Sequence, residues 1–185
     1  MSKKVLNLIV TSILLITLTG CSNPPSAPAT PAPTPVATTN QTTVYMIKLD
    51  DNGATTGSVQ VGCGDSAIPV AATASYQFIP TDPVASINAA MLTLLNTTAT
   101  QYQPQSLMNS LAGQTMTIQS VDQSGTQYTV HLNGSFSFGG TCDMPRVKAQ
   151  VEETIKKAAL PGNTFIIDWN GGGQTAWNKA FSLKD

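Results

Sequence analysis

Pro24, Pro25, Pro28, Pro31, Pro33 and Pro35 crowd one short stretch of this chain and fix where a packed domain can begin. Proline has no backbone N–H to give to a helix or a sheet ladder. With Ala, Thr and Ser between them, residues 22–43 favour an extended spacer, at about 3.1 Å per residue, over packed structure. Beyond the spacer about 140 residues remain, which suits one domain with one core. Charged residues are 10% of the chain, against about 25% in an average soluble protein, so Thr, Ser, Asn and Gln must cover that domain. A net charge of −1 and a pI near 5.7 leave no basic patch for phosphates, and no nucleic-acid partner is expected.

Ahead of the spacer, Lys3 and Lys4 precede an apolar run from Val5 to Leu18, relieved by Asn7, Thr11, Ser12 and Thr17. A positive start, an apolar run and then small residues follow the plan of a secretion signal. At roughly 14 residues the run is shorter than the ~20 that a bilayer-spanning helix needs. It closes on Leu18-Thr19-Gly20-Cys21, which resembles the lipobox of bacterial lipoproteins. That resemblance implies that residues 1–20 are removed and that the Cys21 thiol carries a diacylglycerol. The mature protein is then expected at the extracytoplasmic face of an inner or outer membrane. One acyl chain binds a membrane only marginally, so the two or three chains of such an anchor are what hold it there.

Within the folded part, residues 44–49 read as a strand from their β-branched and aromatic content, and Asp50-Asp51-Asn52-Gly53 as a turn. The acidic pair lacks the ligand spacing of a calcium loop, and no metal is expected there. Asp82 caps and Pro83 opens a first helix whose Val84, Ile87, Met91, Leu94 and Leu95 form one apolar face. Residues 115–121 and 127–132 form a hairpin, with Tyr128, Val130 and Leu132 alternating against Gln127, Thr129 and His131. A second helix starts near Asp143 and Pro145, buries Val147, Val151, Ile155 and Ala158, and stops at Pro161-Gly162. Glu152 and Glu153 are spaced to pair with Lys156 and Lys157 on it. Residues 165–169 make the last core strand, and Ala176, Trp177, Ala180 and Phe181 suggest a short docked helix in the tail. The order predicts an α+β domain in which two helices pack on one face of a small mixed sheet.

Two segments then carry a family resemblance. Gly62-Cys63-Gly64-Asp65-Ser66 with Ile68-Pro69-Val70 is one. Gly139-Gly140-Thr141-Cys142-Asp143-Met144-Pro145-Arg146-Val147-Lys148-Ala149-Gln150 is the other. Both resemble motifs of the GerMN domain, named for sporulation and spore germination proteins, and the element order over residues 44–172 is similar as well. Residues 173–185 follow as a C-terminal tail. The resemblance implies an exported α/β domain similar to the ring-building modules of envelope complexes. It also implies a non-enzymatic role, in which the domain assembles with itself or with another envelope protein. A link to sporulation or germination comes with the family name, but no feature of the chain indicates a sporulating organism. Germination-related members can carry two such domains, and this chain has one.

The remaining sites are read from the residues. With Cys21 lipidated, Cys63 and Cys142 form an even pair in an oxidising compartment, which reads first as a disulfide. Free thiols, or a metal held by both cysteines, His131 and a carboxylate, are the alternatives. No Cys-x-x-Cys or His-x-x-x-His spacing supports the metal. A bridge would close a loop of about 80 residues and contribute at most about 4.5 kcal/mol. Arg146 sits at a helix start, where a cation gains nothing from the helix dipole. Pairing with Asp65 or Asp143, as a loop staple, explains its position. His131, the only histidine, is expected to face solvent, with no nucleophile motif near it. No catalytic residue and no cofactor is expected. An exposed Trp169 or Trp177 beside Asn170 to Gly173 would give a second role, binding cell-wall polymer such as peptidoglycan, although core packing of Trp169 and docking of Trp177 are the simpler roles.

Overall fold

The computed structural model describes residues 36–98 and 106–182. Cys21, the segment before it and most of the proline-rich stretch lie outside the described residues. Within them the chain runs β1 (Thr39–Lys48), β2 (Val59–Gln60), β3 (Ser66–Phe78), α1 (Pro83–Asn96), β4 (Thr115–Ser124), β5 (Gln127–Ser135), α2 (Asp143–Ala158), β6 (Thr164–Trp169), α3 (Gly173–Ala180). The α+β class expected from the sequence is the one the chain adopts. The strands form two three-stranded sheets, ordered β1-β3-β2 and β4-β5-β6, where the sequence suggests a single sheet. β1 starts at Thr39, inside the stretch read as spacer, because Gln41, Thr42 and Thr43 pair with Thr73, Ala72 and Ala71 of β3.

Local signals explain the helices and the hairpin. Asp82 accepts hydrogen bonds from the backbone N–H groups of Val84 and Ala85, at 2.9 and 3.2 Å, so two donors at the start of α1 are satisfied. Ile87, Met91 and Leu94 then face inward, fully buried. β4 and β5 pair antiparallel from Ser124 and Gln127 outward, around Gly125, with a bulge between Ile118 and Ser120. β5 and β6 run parallel, so α2 is the crossover between them. One core gathers Val44 and Met46 from β1, the α1 stripe, Tyr128, Val130 and Leu132 from β5, and Val147, Val151 and Ile155 from α2. Ile167 from β6 and Trp177 from α3 complete it.

Two pairings on α2 differ from the sequence expectation. Glu152 pairs with Lys148, four residues before it, and also accepts from the indole N–H of Trp177 at 2.8 Å. Lys156 pairs with Glu153, three residues before it. The docking of α3 draws the Glu152 carboxylate toward Trp177, a pull that spacing along one helix cannot reveal.

α2 is locked to β1 by polar groups in the core. Gln150 is fully buried. Its amide donates to the Tyr45 carbonyl at 2.9 Å and to Asn109 Oδ1 at 3.2 Å, and its oxygen accepts the Ser110 N–H at 2.7 Å. Thr154 Oγ1 accepts the Tyr45 N–H at 3.0 Å. Asn109 Nδ2 in turn donates to the carbonyls of Leu94 and Thr97 at the end of α1, both at 2.9 Å. Truncation at Gln150 strands the Tyr45 carbonyl and the Ser110 N–H away from water, at about 1–3 kcal/mol each. Gln150→Ala is therefore expected to lose about 3 kcal/mol of stability, a Tm drop on the order of 10 °C by calorimetry. Exposed Gln119→Ala should stay within about 0.5 kcal/mol of the parent.

Candidate functional site

The two glycine-rich segments around Cys63 and Cys142 meet in space. Cys63 sits in a single 3-10 turn, Gly62–Gly64, just before β3, and Cys142 immediately precedes α2. The two are joined as a disulfide with Cα atoms 5.8 Å apart and a separation of 79 positions in sequence. Beside the bridge, Arg146 Nε donates to Asp65 Oδ2 at 2.6 Å and its Nη1 to Asp143 Oδ1 at 3.2 Å. Asp65 also accepts the Asp50 N–H at 3.0 Å, and Asp143 accepts the N–H groups of Gly139 and Gly140 at 2.9 and 3.1 Å. Each carboxylate thus orders its own loop while sharing the guanidinium with the other. The Pro145 ring closes over Gly62, where an added Cβ would lie 3.0 Å from its Cγ. With both sulfurs in the bridge, neither is a thiolate for a metal, and the described residues hold no metal-binding group of three or more His, Cys, Asp or Glu.

His131 lies on the outward side of β5, as read from its strand, and is 29% exposed, but it is engaged by carboxylates rather than free. Its Nδ1 lies 2.8 Å from Asp168 Oδ2 and its Nε2 lies 3.0 Å from Asp122 Oδ2, so β4, β5 and β6 are tied through one imidazole. A general base keeps one ring nitrogen free for the proton it takes. Here both nitrogens face carboxylates, an arrangement that tethers strands. Counting register back from the Gly125 turn sets Asp122 opposite Thr129, one diagonal step from His131 on the same face. Asp168 could not be reached in that way, because its place opposite His131 depends on the parallel β5–β6 pairing.

Both indoles are inside. Trp169 is 6% exposed and Trp177 is 0% exposed, so neither offers an open ring to a glycan. The residues that sequence reasoning passed over are Phe136 and Phe138. Phe136 stacks between Phe138 and Trp169, with ring centroids 5.4 and 4.6 Å apart and planes within 19° and 8° of parallel. These rings line a cleft of about 560 Å³ together with Met144 and the Gly139-Gly140-Thr141 loop, and none of its described lining residues is charged. The Phe-x-Phe alternation just after β5 was the available signal.

No protein-family model, curated protein or solved structure matches the chain.

Two carboxylates are held below their ordinary range. Asp51 lies beside Lys48 Nζ at 2.8 Å and accepts from the hydroxyl and N–H of Thr55, which holds its carboxyl well below the usual carboxylate range. The Gly173 N–H, at 2.6 Å, and then His131 hold Asp168 below its ordinary value. A depressed carboxylate adds stability above its unfolded pKa of about 3.9 and loses it as pH falls through the folded value. Asp168→Asn should therefore flatten the fall in urea midpoint below about pH 4, and an unchanged slope would count against this assignment. The Asp65 side chain is only 2% exposed. Arg146→Ala leaves that carboxylate without its ion partner and should cost about 3 kcal/mol or more, measured by urea unfolding with the disulfide intact. Arg146→Lys should recover only part of the loss, because one ammonium cannot present two fixed donors to two carboxylates.

Proposed function

We propose that this chain is an exported, lipid-anchored protein whose GerMN-like domain is a non-enzymatic assembly module of the cell envelope. The observation that carries the reading is the meeting of the two GerMN-resembling segments at one clasp, formed by the Cys63–Cys142 bridge and the Arg146 ion pairs. Residues a long way apart in sequence serve one structural purpose there, as expected when both motifs belong to one domain type. The engagement of both His131 nitrogens agrees with a role that needs no general base. Acylation of Cys21 and the proline-rich spacer would keep the domain within reach of partners outside the cytoplasm. Its near-neutral, amide- and hydroxyl-rich surface suits contacts with other exported proteins.

A second reading, binding of cell-wall polymer, is favoured by one feature, the uncharged aromatic cleft at Phe136 and Phe138. A sugar ring could stack there in a way the buried indoles do not allow.

Two measurements test the proposal. Cys21→Ala should abolish labelling by radioactive fatty acid and release the protein from the membrane fraction. Crosslinking of the lipidated protein in cells should trap defined complexes with itself or another envelope protein. A strict monomer that sediments with peptidoglycan, and loses that property in Phe138→Ala, would place the second reading first.

A further inference from the structure

We infer that the outer edge of β3, at Ala71 and Thr73, is a docking site where an uncharged, extended segment of a partner protein adds as a further strand. The inference rests on the assembly reading and names the surface through which it works.

An unpaired strand edge is a row of N–H and C=O groups that pairs with any available strand, so proteins usually blunt it. Three edges here are blunted. The free side of β1 is taken at Tyr45 and Ile47: Tyr45 gives its N–H to Thr154 and takes the Gln150 amide, and Ile47 and Met108 exchange two bonds of 2.9 Å, while the Gln41 N–H turns to Thr39 Oγ1. β4 carries a bulge and the exposed carboxylate of Asp122. On β6, the Ile167 N–H is taken by Gln174 Oε1 at 2.7 Å.

β3 keeps the longest open edge among the described residues. Among the described residues, β2 covers only its Ser66 and Ala67. The direction of the free groups follows from the register. Tyr45 sends both its backbone groups to α2, so its pair with Pro69 is a non-hydrogen-bonded one. Antiparallel pairs alternate, so Thr43–Ala71 and Gln41–Thr73 are of the same kind. The N–H and C=O groups of Ala71 and Thr73 therefore point away from β1. Pro69, with no N–H to give, fits the same outward position.

Chemistry beside the edge restricts the occupant. A groove of about 410 Å³ runs between Ala71, Thr73 and Ser75 on one side and Leu92, Thr93 and Asn96 of α1 on the other. No described lining residue is charged, so a charged segment would lose its hydration there without gaining a partner. The open stretch of a second β3, residues 71–75, would bring only Ala, Thr and Ser beside the groove and would leave it unfilled. The occupant is thus a segment with larger uncharged side chains at alternate positions, reading the edge through its backbone.

The full-length lipidated chain in its own cells is the material for the test, with a benzophenone amino acid placed at Thr73 or, for comparison, at Gln119 on the other sheet. Crosslinks from Thr73 should map to one uncharged segment of another exported protein. Ala71→Pro removes an outward N–H and should reduce that crosslink at least tenfold while leaving the Tm within a few degrees. Because proline can also disturb the strand, synthetic peptides of the mapped segment provide an independent measurement. N-methylation at one alternate set of residues should weaken binding to the purified chain at least tenfold, and methylation of the other set should not. Equal effects of the two sets, or Thr73 crosslinks onto β3 of a second copy, would overturn the inference. Crosslinks from Gln119 alone would remove the β3 site and leave the assembly reading standing. None from either position would remove both.

Discussion

The guanidinium of Arg146 lies between two carboxylates, one supplied by the turn before β3 and one by the first turn of α2. Much of the remaining architecture depends on that shared cation. Removing the Asp65 carboxylate from water has a cost that only a fixed, hydrogen-bonded partner offsets. The disulfide beside it limits how far the unfolded chain can separate the same two loops, a loop-closure contribution of about 4.5 kcal/mol at most. The ion pair, unlike the bridge, is not a large net source of stability in isolation. Together they set the position of α2's first turn, and the rest of that helix follows from it.

Once its start is fixed, α2 lies along β1, and Gln150 and Thr154 fall opposite Tyr45. The hydrophobic stripe of Val147, Val151 and Ile155 supplies the favourable burial. The two polar residues supply register, because a shift of either element would leave Tyr45's buried backbone groups unpaired. The outer edge of β1 is thus used up at Tyr45 and Ile47. The longer stretch of edge still open on the first sheet, among the described residues, is that of β3.

The sequence announced those elements whose causes are local. Asp82-Pro83 with the Ile87, Met91, Leu94 spacing is enough for α1, and the alternation around Gly125 is enough for the β4–β5 hairpin. β3 beyond Val70 was not legible, because Ala71, Ala72, Ala74 and Ser75 have little strand preference of their own and are extended through pairing with β1. β1's first residues were hidden for a related reason, since Thr39, Asn40 and Gln41 continue the composition of the spacer. The division into two sheets depends on a parallel pairing carried across α2, and spacing along the chain does not encode that. In the candidate site, the glycine-rich loops marked Cys63 and Cys142, and the placement of a cation at a helix start marked Arg146. The His131 tether and the Phe136–Trp169 stack involve β6, whose neighbours were set by topology.

The same distinction bears on function. Residues at the clasp are consumed in holding the fold, so under the proposed family reading they would mark a domain type more than a reactive site. The surface left over is short of charge, and an interface built from it cannot rely on long-range steering. Recognition then has to come from shape and backbone hydrogen bonding, both of which act only at contact. A lipid anchor and a stiff spacer would suit such a surface, because confinement near a membrane raises the effective concentration of partners held there. Under the proposed anchoring, the weak electrostatics of the domain and a tether would be complementary: the tether would supply encounter, and an open strand edge with a neutral groove would supply selectivity for an extended backbone.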